Sequence, residues 1–302
     1  MDNVIRLLRK EKVGKVLVDE SIKKYNTYKI GGIAKIVVMP KDIDKLIYTI
    51  KTLKENKIKY KIIGRGSNLI FSDMDYEGCL IRLDEFNKIE INDTVVKVGA
   101  GYSLMKLALE VTKRGLSGLE FATGIPGSVG GAVFMNAGAY KLDMGYVTSE
   151  VEVLDTNNLE VTTLYNSELD FHYRSSYLQT HTNLICISAT MILKKGDKKE
   201  MLEIVDDRKQ RRLLSQPLEY PSAGSVFRNP ENIPAGKLIE DVGLKGKTIG
   251  GAMVSRKHAN FIINYNNATG NDIYNLINLV KNEVYEKNNI KLKEEQEFVN
   301  WD

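Results

Sequence analysis

The chain has 302 residues, of which 43% are hydrophobic and 27% are charged, and its formal net charge is +4. This composition is typical of a soluble globular protein with two or three domains. The positive excess is too small to indicate a nucleic-acid-binding protein, whereas a mildly basic surface suits an anionic substrate.

The sequence predicts a cytoplasmic protein without a membrane segment. Residues 1–12 lack the long apolar region and the small-residue cleavage site of a secretory signal, and no apolar run approaches membrane-spanning length. The only cysteines are Cys79 and Cys186. Because they lie in apolar, strand-like runs and form no Cys-x-x-Cys or Cys/His pattern, we expect buried free thiols and neither a disulfide nor a metal site.

The first third of the chain predicts a strand, a helix and a second strand, over residues 35–39, 43–53 and 60–63. The second strand ends at Gly64. The loop after it leads to more strands rather than to a helix, near residues 71–73 and 79–83. Since the glycines of a Rossmann fold open a helix, this pattern disfavours that fold.

The middle of the chain predicts two hairpins, a capped helix and a long strand. The hairpins cover residues 89–98 and 150–164, each around a short polar turn. Ser103 is expected to cap a helix that ends at Gly115, and residues 184–193 form an apolar strand. Together these elements predict an α+β domain with a mixed sheet.

The last third predicts a smaller α+β domain. A helix begins near residues 197–199 and ends before Pro217, and we place the domain boundary near residue 200. The later elements are a helix over 235–242, a strand over 259–264 and a helix over 273–284.

Two segments are unusually rich in small residues, and few of their side chains can fill a core. Glycines permit positive φ and the close approach of a ligand, and successive N–H groups in such loops bind anions. Two tight turns are the alternative explanation, but both loops in one chain favour a large ligand with two phosphates. The segments are Gly64-Arg65-Gly66-Ser67-Asn68-Leu69 and Gly124-Ile125-Pro126-Gly127-Ser128-Val129-Gly130-Gly131-Ala132.

The two loops together resemble FAD-binding domains of the vanillyl-alcohol-oxidase type. Four further motifs narrow the resemblance to the UDP-N-acetylenolpyruvoylglucosamine reductase family, over essentially the whole chain. They are Asn136-Ala137-Gly138-Ala139-Tyr140, Tyr173-Arg174-Ser175-Ser176, Ala223-Gly224-Ser225-Val226-Phe227-Arg228-Asn229-Pro230 and Ala235-Gly236-Lys237-Leu238-Ile239-Glu240. The short interval between Arg174 and Ser225 is similar to the shorter subclass of the family, which lacks a tyrosine-bearing loop over the substrate.

The resemblance implies a two-part FAD-binding domain over residues 1–200, with sub-lobes of about 1–72 and 73–200. A smaller α+β substrate-binding domain follows over residues 201–302, and its C-terminal tail returns to the active site. It also implies non-covalent FAD, NADPH as hydride donor and a UDP-sugar substrate. The expected reaction reduces UDP-N-acetylglucosamine enolpyruvate to UDP-N-acetylmuramate, a peptidoglycan precursor, in a monomer without nucleic-acid or membrane partners.

The resemblance assigns three catalytic residues. Ser225 is the expected proton donor, and Arg174 is expected to hold the substrate carboxylate and stabilise an enolate. Glu295 is the third expected catalytic residue, because residues 290–295 match the Ile-x-Leu-x-x-Glu pattern of the family's tail. The alternatives are Glu294 and Glu297. The family usually continues with an apolar and then a basic residue, where this chain has Gln296 and Glu297.

The resemblance also implies two sets of binding residues. The cofactor set is Gly64, Arg65, Gly66, Ser67, Asn68, Leu69, Gly124, Ile125, Pro126, Gly127, Ser128, Gly130, Gly131 and Ala132. The substrate set is Tyr173, Arg212, Arg228, Asn229, Lys237 and His258. Because His258 has no metal-ligand spacing to His172 or His181, we expect no metal.

Two other functions stay open on the sequence. One is a different flavin oxidase or dehydrogenase with the same FAD-domain type, which the Gly224-Ser225-Val226-Phe227-Arg228-Asn229-Pro230 motif disfavours. The other is a flavin- or nucleotide-binding module without activity, which only the altered residues after Glu295 support.

Overall fold

The computed structural model describes residues 1–301, which divide into two compact units. The first unit contains residues 1–18, 36–65 and 77–210, and the second contains residues 19–35, 66–76 and the chain from 211 onward. The predicted boundary near residue 200 lies close to the last crossing, at 210. The sequence did not predict that residues 19–35 and 66–76 belong to the second unit.

The chain alternates helices and strands throughout both units. The helices are α1 (Asp2–Lys10), α2 (Ile43–Glu55), α3 (Leu104–Lys113), α4 (Val129–Met135), α5 (Met144–Val147), α6 (Tyr177–Thr180), α7 (Lys198–Ser215), α8 (Ala235–Asp241) and α9 (Gly270–Asn288). The strands are β1 (Gly14–Ser21), β2 (Ile33–Pro40), β3 (Tyr60–Ile63), β4 (Leu69–Phe71), β5 (Tyr76–Arg82), β6 (Ile89–Asn92), β7 (Val95–Gly99), β8 (Leu116–Ser117), β9 (Gly138–Ala139), β10 (Leu142–Asp143), β11 (Thr148–Asp155), β12 (Glu160–Tyr165), β13 (Leu184–Ile192), β14 (Lys194–Lys195), β15 (Thr248–Ile249), β16 (Ala252–Val254), β17 (Ile262–Asn264) and β18 (Glu297–Val299).

Three of the four early crossings between the units were hidden because they lie in strands, and the fourth, between residues 65 and 66, falls in the first glycine loop. The crossings at residues 18, 35 and 76 fall within β1, β2 and at the first residue of β5. A continuous strand has neither the Pro/Gly linker nor the change in composition that marks a domain boundary.

Most of the first unit is built around two sheets. One has the strand order β1-β2-β5-β3, and β3 is parallel to β5. The other is antiparallel, with the order β12-β11-β13-β7-β6. The predicted α2 forms because Leu46, Ile50 and Leu53 share one buried face and because Asp42 accepts a hydrogen bond from the Lys45 amide at 2.9 Å.

The second unit has α9 packed across a small antiparallel sheet of order β15-β16-β17. Apolar residues at helical spacing, including Ile273, Leu276 and Val280, form the buried face of α9. Thr269 and Asp272 form a capping box at its first turn. The C-terminal strand β18 pairs in parallel with β4, so the tail lies beside the loop that follows Gly64.

The predicted helices and strands are confirmed with small shifts at their ends. The strand predicted over 259–264 begins only at Ile262, because the Phe261 amide donates to the His258 carbonyl oxygen and closes a turn there. Cys79 and Cys186 are buried free thiols, as expected. Within residues 1–301, no helix combines the length and apolar character needed to span a membrane.

Candidate active site

The two glycine loops meet in the first unit. A Cβ atom placed on Gly64 would lie 2.7 Å from Ser128 Oγ and 4.0 Å from Gly131 Cα. A methyl group at this position would overlap the serine hydroxyl in its present orientation. The end of β3 therefore lies directly against the first turn of α4.

The second loop is held tightly by its neighbours. Gly127 has φ +143°, and its carbonyl oxygen accepts from the Leu104 amide at 3.1 Å. A Cβ on Gly130 would lie 2.8 Å from Ala100 Cβ, so this glycine lets α4 pack closely. Within residues 1–301, the Gly127 and Ser128 amides have no protein acceptor. Such amides beside a glycine cradle fit the diphosphate of FAD.

The remaining predicted cofactor residues in the two loops differ in exposure. Arg65, Pro126 and Gly131 are exposed, and Ala132 is buried. Ser67, Gly124 and Ile125 are half-buried. Their predicted contacts with the cofactor stay predictions.

The later part of the first loop lies in the second unit and holds the C-terminal tail. Gly66 has φ +67°, and a Cβ there would lie 2.1 Å from the Tyr25 carbonyl oxygen. Asn68 Nδ2 donates to the Glu295 carbonyl oxygen at 3.0 Å, and the Asn68 carbonyl oxygen accepts from the Glu297 amide at 2.9 Å. The side chain of Asn68 thus positions the tail, and Leu69 is buried in β4.

The Ser225 loop, residues 223–228, pairs with the C-terminal tail, residues 290–301. Phe227 and Glu294 form an antiparallel bridge, and the Glu295 amide donates to the Val226 carbonyl oxygen at 2.8 Å. Gly224 has φ +77°, with no atom within 4 Å of the position of a Cβ. Ser225 is half-buried. The space beside the preceding residue, Gly224, is open.

Asn260 fixes the buried side of the same loop. Its Oδ1 accepts from the Phe227 amide at 3.0 Å, and its Nδ2 donates to the Phe227 carbonyl oxygen at 2.8 Å. The Val226 amide donates to the Asn260 carbonyl oxygen at 2.9 Å. Because Val226 and Phe227 are also buried, the backbone on the C-terminal side of Ser225 is rigidly held.

The three glutamates of the tail have different surroundings. Glu294 forms an ion pair with Lys281 Nζ of α9 at 2.6 Å. Glu297 begins β18 and pairs with Leu69. Glu295 lies between them, where the backbone bends. Leu292, three residues before it, is buried.

Arg174 lies in the first unit at the tip of a tight turn, with φ +55°. The turn is closed by two hydrogen bonds between the backbones of His172 and Ser175, each 3.0 Å long. Arg174 Nη2 donates to the Gly138 carbonyl oxygen at 2.7 Å, and the guanidinium carbon lies 5.0 Å from the centroid of the Tyr173 ring. These contacts fix the direction of the guanidinium.

Helix α4 connects the glycine loop to the Arg174 turn. Ser128 begins the helix, and Asn136 ends it in a left-handed conformation. Asn136 Nδ2 donates to the His172 carbonyl oxygen at 2.8 Å, and its Oδ1 accepts from the Gly145 amide at 2.9 Å. The two predicted functional segments of the first unit are therefore fastened to opposite ends of one short helix.

The predicted substrate residues are not equally placed to bind an anion. Lys237 is exposed on α8 and paired with Asp241, and Asn229 Oδ1 accepts from the Ala235 amide at 3.0 Å. Within residues 1–301, the Arg228 side chain has no hydrogen bond or ion pair, although its backbone amide donates to Lys293. Its charge is therefore not neutralised by a protein carboxylate.

The other predicted substrate residues vary in environment. Burial, followed by the nearby positive charge of Lys245, lowers the pKa of His258, so the ring is neutral at neutral pH. Its Nδ1 accepts from the Asn260 amide at 3.2 Å, which leaves the proton on Nε2. Arg212 is half-buried near the end of α7, and Tyr173 is 51% exposed.

The sequence prediction missed several residues that hold these segments. Tyr28 and Asn260 belong to no recognisable motif, because the hydrogen bonds that give them a role join distant parts of the chain. Gln296 was noted only as a departure from the family, but it is buried, with 4% of its surface exposed. The family usually has an apolar residue at this position. A glutamine there indicates that its amide has hydrogen-bond partners, and this could have been noticed in the sequence.

Comparisons with known proteins agree over the whole chain. The profile of the family described as "UDP-N-acetylenolpyruvoylglucosamine reductase, C-terminal domain" matches residues 216–299, and that of "FAD binding domain" matches residues 34–163. The chain is 45% identical over 300 residues to the UDP-N-acetylenolpyruvoylglucosamine reductase of Anoxybacillus flavithermus, with 99% of each covered. The corresponding protein of Bacillus subtilis is 41% identical over 300 residues, again with 99% of each covered.

A solved structure supports the same comparison. The UDP-N-acetylenolpyruvylglucosamine reductase of Thermus caldophilus is 34% identical, with a TM-score of 0.80. The match covers 94% of this chain and 98% of that one. Together with the FAD-binding profile, it confirms the predicted fold class.

The contact between Gly64 and Ser128 leads to a prediction about flavin affinity. Gly64→Ala places a methyl group 2.7 Å from Ser128 Oγ, so the serine side chain must turn away or the loop must shift, and the bond from the Gly131 amide to Ser128 Oγ is disturbed. Overpacking of this kind costs about 1–3 kcal/mol, so we expect FAD to bind about tenfold more weakly, measured by titrating the apoprotein. Gly115→Ala, which strains a left-handed glycine elsewhere in the same unit, controls for general destabilisation and should keep wild-type affinity. Unchanged affinity in Gly64→Ala would show that the close approach does not shape the FAD site.

Proposed function

The chain belongs to the UDP-N-acetylenolpyruvoylglucosamine reductase family, and we propose that it reduces UDP-N-acetylglucosamine enolpyruvate to UDP-N-acetylmuramate. NADPH is the reductant and FAD the cofactor, and the product is a peptidoglycan precursor. The pairing of the Ser225 loop with the tail that carries Glu295 is the structural observation that supports this reaction best.

The glycine cradle supplies the cofactor site. Gly64, Gly127 and Ser128 are the residues that would hold the FAD diphosphate, with the other residues of the two loops around them. When bound there, FAD would provide the hydride-transfer chemistry between NADPH and the alkene of the substrate. No His or Cys lies in either loop, which supports non-covalent binding.

Ser225 is proposed to donate the proton to the alkene carbon adjacent to the one that receives the hydride. A serine hydroxyl is a weak acid, so the proton transfer requires a strongly basic acceptor, such as an enolate, at a fixed distance. The bonds from Asn260 and Glu295 around Val226 and Phe227 hold the backbone beside Ser225. This arrangement supports a positioned donor.

Arg174 is proposed to bind the enolpyruvyl carboxylate. A guanidinium keeps its charge at all accessible pH values and presents its N–H donors in a plane that matches a carboxylate. The bond from Nη2 to Gly138 and the stacking on Tyr173 orient that plane before substrate arrives. Such preorganised charge stabilises an enolate as it forms.

Glu295 is proposed as the carboxylic partner at the enolate stage. Its backbone amide is bonded to Val226 and its carbonyl oxygen to Asn68. The ion pair of Glu294 with Lys281 and the position of Glu297 in β18 support Glu295 over its two rivals.

The predicted substrate residues are proposed to contact the sugar, diphosphate and nucleotide with different chemistry. Arg228 supplies positive charge, whereas neutral His258 supplies only an N–H donor. Lys237 must leave Asp241 before it can bind a phosphate. Tyr173, Arg212 and Asn229 complete the proposed set. The proposal also includes action as a cytoplasmic monomer, without membrane or nucleic-acid partners.

A purified sample tests the proposed reaction directly. The protein should have a flavin absorption spectrum, and denaturation should release all the flavin. Anaerobic NADPH should bleach the absorbance, and the enolpyruvyl substrate should restore it. A different flavin enzyme would be bleached without reoxidation by this substrate, and an inactive module would not be bleached. Flavin retained after denaturation would contradict non-covalent binding.

Ser225→Ala should separate the two half-reactions. Proton delivery occurs only with the enolpyruvyl substrate, so flavin reduction by NADPH should stay near the wild-type rate. Loss of a general acid slows its step by about a hundred- to ten-thousand-fold, and reoxidation by substrate should slow within that range. Stopped-flow absorbance measures both rates. Equal losses in the two half-reactions would make Ser225 a structural residue.

Three glutamine substitutions test the proposed identity of the carboxylic partner. Glu295→Gln keeps the side-chain size and removes the acid, so it should greatly slow reoxidation by substrate. Glu294→Gln breaks only the ion pair with Lys281 and should cost about 1 kcal/mol or less of unfolding free energy, with reoxidation unchanged. Glu297→Gln should also react normally. Damage from Glu294→Gln alone would shift the assignment by one residue, and three normal variants would mean that Arg174 stabilises the enolate without the help of a tail carboxylic acid.

A further inference from the structure

Gln296 binds the backbone of the Ser225 loop with its side-chain amide. Its Nε2 lies 3.0 Å from the Ala223 carbonyl oxygen, 3.2 Å from that of Gly224 and 3.4 Å from that of Ser225. Carbonyl oxygens only accept hydrogen bonds, so the NH₂ end of the amide must face them. One side chain thus gathers three consecutive carbonyl groups.

Tyr28 sets the orientation of this amide from the other side. Its hydroxyl donates to Gln296 Oε1 at 3.1 Å, and the tyrosine is fully buried. Burial raises the pKa of the Tyr28 phenol, so the hydroxyl keeps its proton and always acts as the donor. Both ends of the amide are therefore fixed.

The backbone on each side of Gln296 is also fixed. Glu295 donates to Val226 and accepts from Asn68, and the Glu297 amide donates to the Asn68 carbonyl oxygen. Gln296 therefore cannot follow a movement of the Ser225 loop without breaking bonds to two other segments.

The N-terminal side of the Ser225 loop is anchored by the burial of Ala223, but the next residue, Gly224, is not held by packing. Gly224 is left-handed, and no atom would contact a Cβ at that position. By contrast, Val226 and Phe227 are held by Asn260 and by burial. The Gln296 amide thus adds a restraint at Gly224 and Ser225, the two residues that lie between buried Ala223 and buried Val226.

We propose that Gln296 is a positioning residue for the proton donor Ser225, and that Tyr28 acts through Gln296. This inference rests on the proposed function of Ser225. Gln296 does not touch the substrate in this proposal: it fixes the backbone of residues 223–225, and this sets the direction of the Ser225 hydroxyl. An apolar side chain at position 296 would fill the space without holding the three carbonyl groups.

Two variants test the proposal in the flavin-loaded protein. Gln296→Met keeps an unbranched side chain of similar size and removes the amide, and Tyr28→Phe removes only the hydroxyl. We expect flavin reduction by NADPH to stay within about twofold of wild type and reoxidation by substrate to slow about tenfold in Gln296→Met, the effect of losing about one hydrogen bond. Tyr28→Phe should slow reoxidation about threefold. The double variant should resemble Gln296→Met, because both residues act through the same amide.

Two further readouts separate positioning from general structural damage. The solvent deuterium isotope effect on reoxidation should rise in Gln296→Met, because proton delivery becomes more rate-limiting. Amide hydrogen exchange of residues 223–226, followed by mass spectrometry without substrate, should become faster while α9 stays protected. Tyr25→Phe, which removes a hydroxyl bonded to Glu20 at 3.3 Å, is the control and should change neither readout.

The outcomes distinguish this inference from the proposed function. If Ser225→Ala slows reoxidation but Gln296→Met does not, the positioning role is wrong and the function of Ser225 stands. Equal slowing of both half-reactions by Gln296→Met would also overturn the inference. If Ser225→Ala has no effect, Ser225 is not the donor and both fall. Should Gln296→Met fail to fold, Tyr28→Phe provides the same test, and its wild-type reoxidation would overturn the role of Tyr28.

Discussion

The proposed catalytic geometry of the second unit depends on the pairing of residues 293–296 with the Ser225 loop. The bridge between Phe227 and Glu294 and the bond from the Glu295 amide to Val226 fix the register. Because the two segments lie about seventy positions apart in the chain, neither has its functional conformation by itself. This pairing brings the proposed proton donor and its carboxylic partner to adjacent backbone positions in one step.

The first unit uses a short helix for a similar purpose. The start of α4 lies against Gly64, and its end at Asn136 holds the Arg174 turn. Gly130 packs on Ala100 at a distance that excludes a larger side chain, so the helix has little freedom to slide. A change in the glycine loop is therefore expected to alter the position of the Arg174 guanidinium, which is proposed to bind the substrate carboxylate.

Local periodicity predicted most of the secondary structure, whereas long-range hydrogen bonds decided the site. Helices α2 and α9 and the hairpins followed from apolar spacing, caps and turns. The unit crossings inside β1 and β2 leave no mark in composition, and they were missed. The choice among Glu294, Glu295 and Glu297 gains support from the contact of Glu294 with Lys281 of α9, which no spacing rule reveals. The roles of Tyr28 and Asn260 depend on partners far along the chain for the same reason.

The amide at position 296 also makes physical sense as a neutral group. Three carbonyl oxygens converge on it, and buried acceptors without donors are costly. A lysine or arginine could donate to them, but burying its charge there without a carboxylate would carry a large desolvation penalty. A glutamine supplies two N–H donors without net charge, and the protonated Tyr28 satisfies its remaining acceptor. The residue that looked like the loss of an apolar contact in the sequence is thus a fully bonded link between Tyr28 and the Ser225 loop.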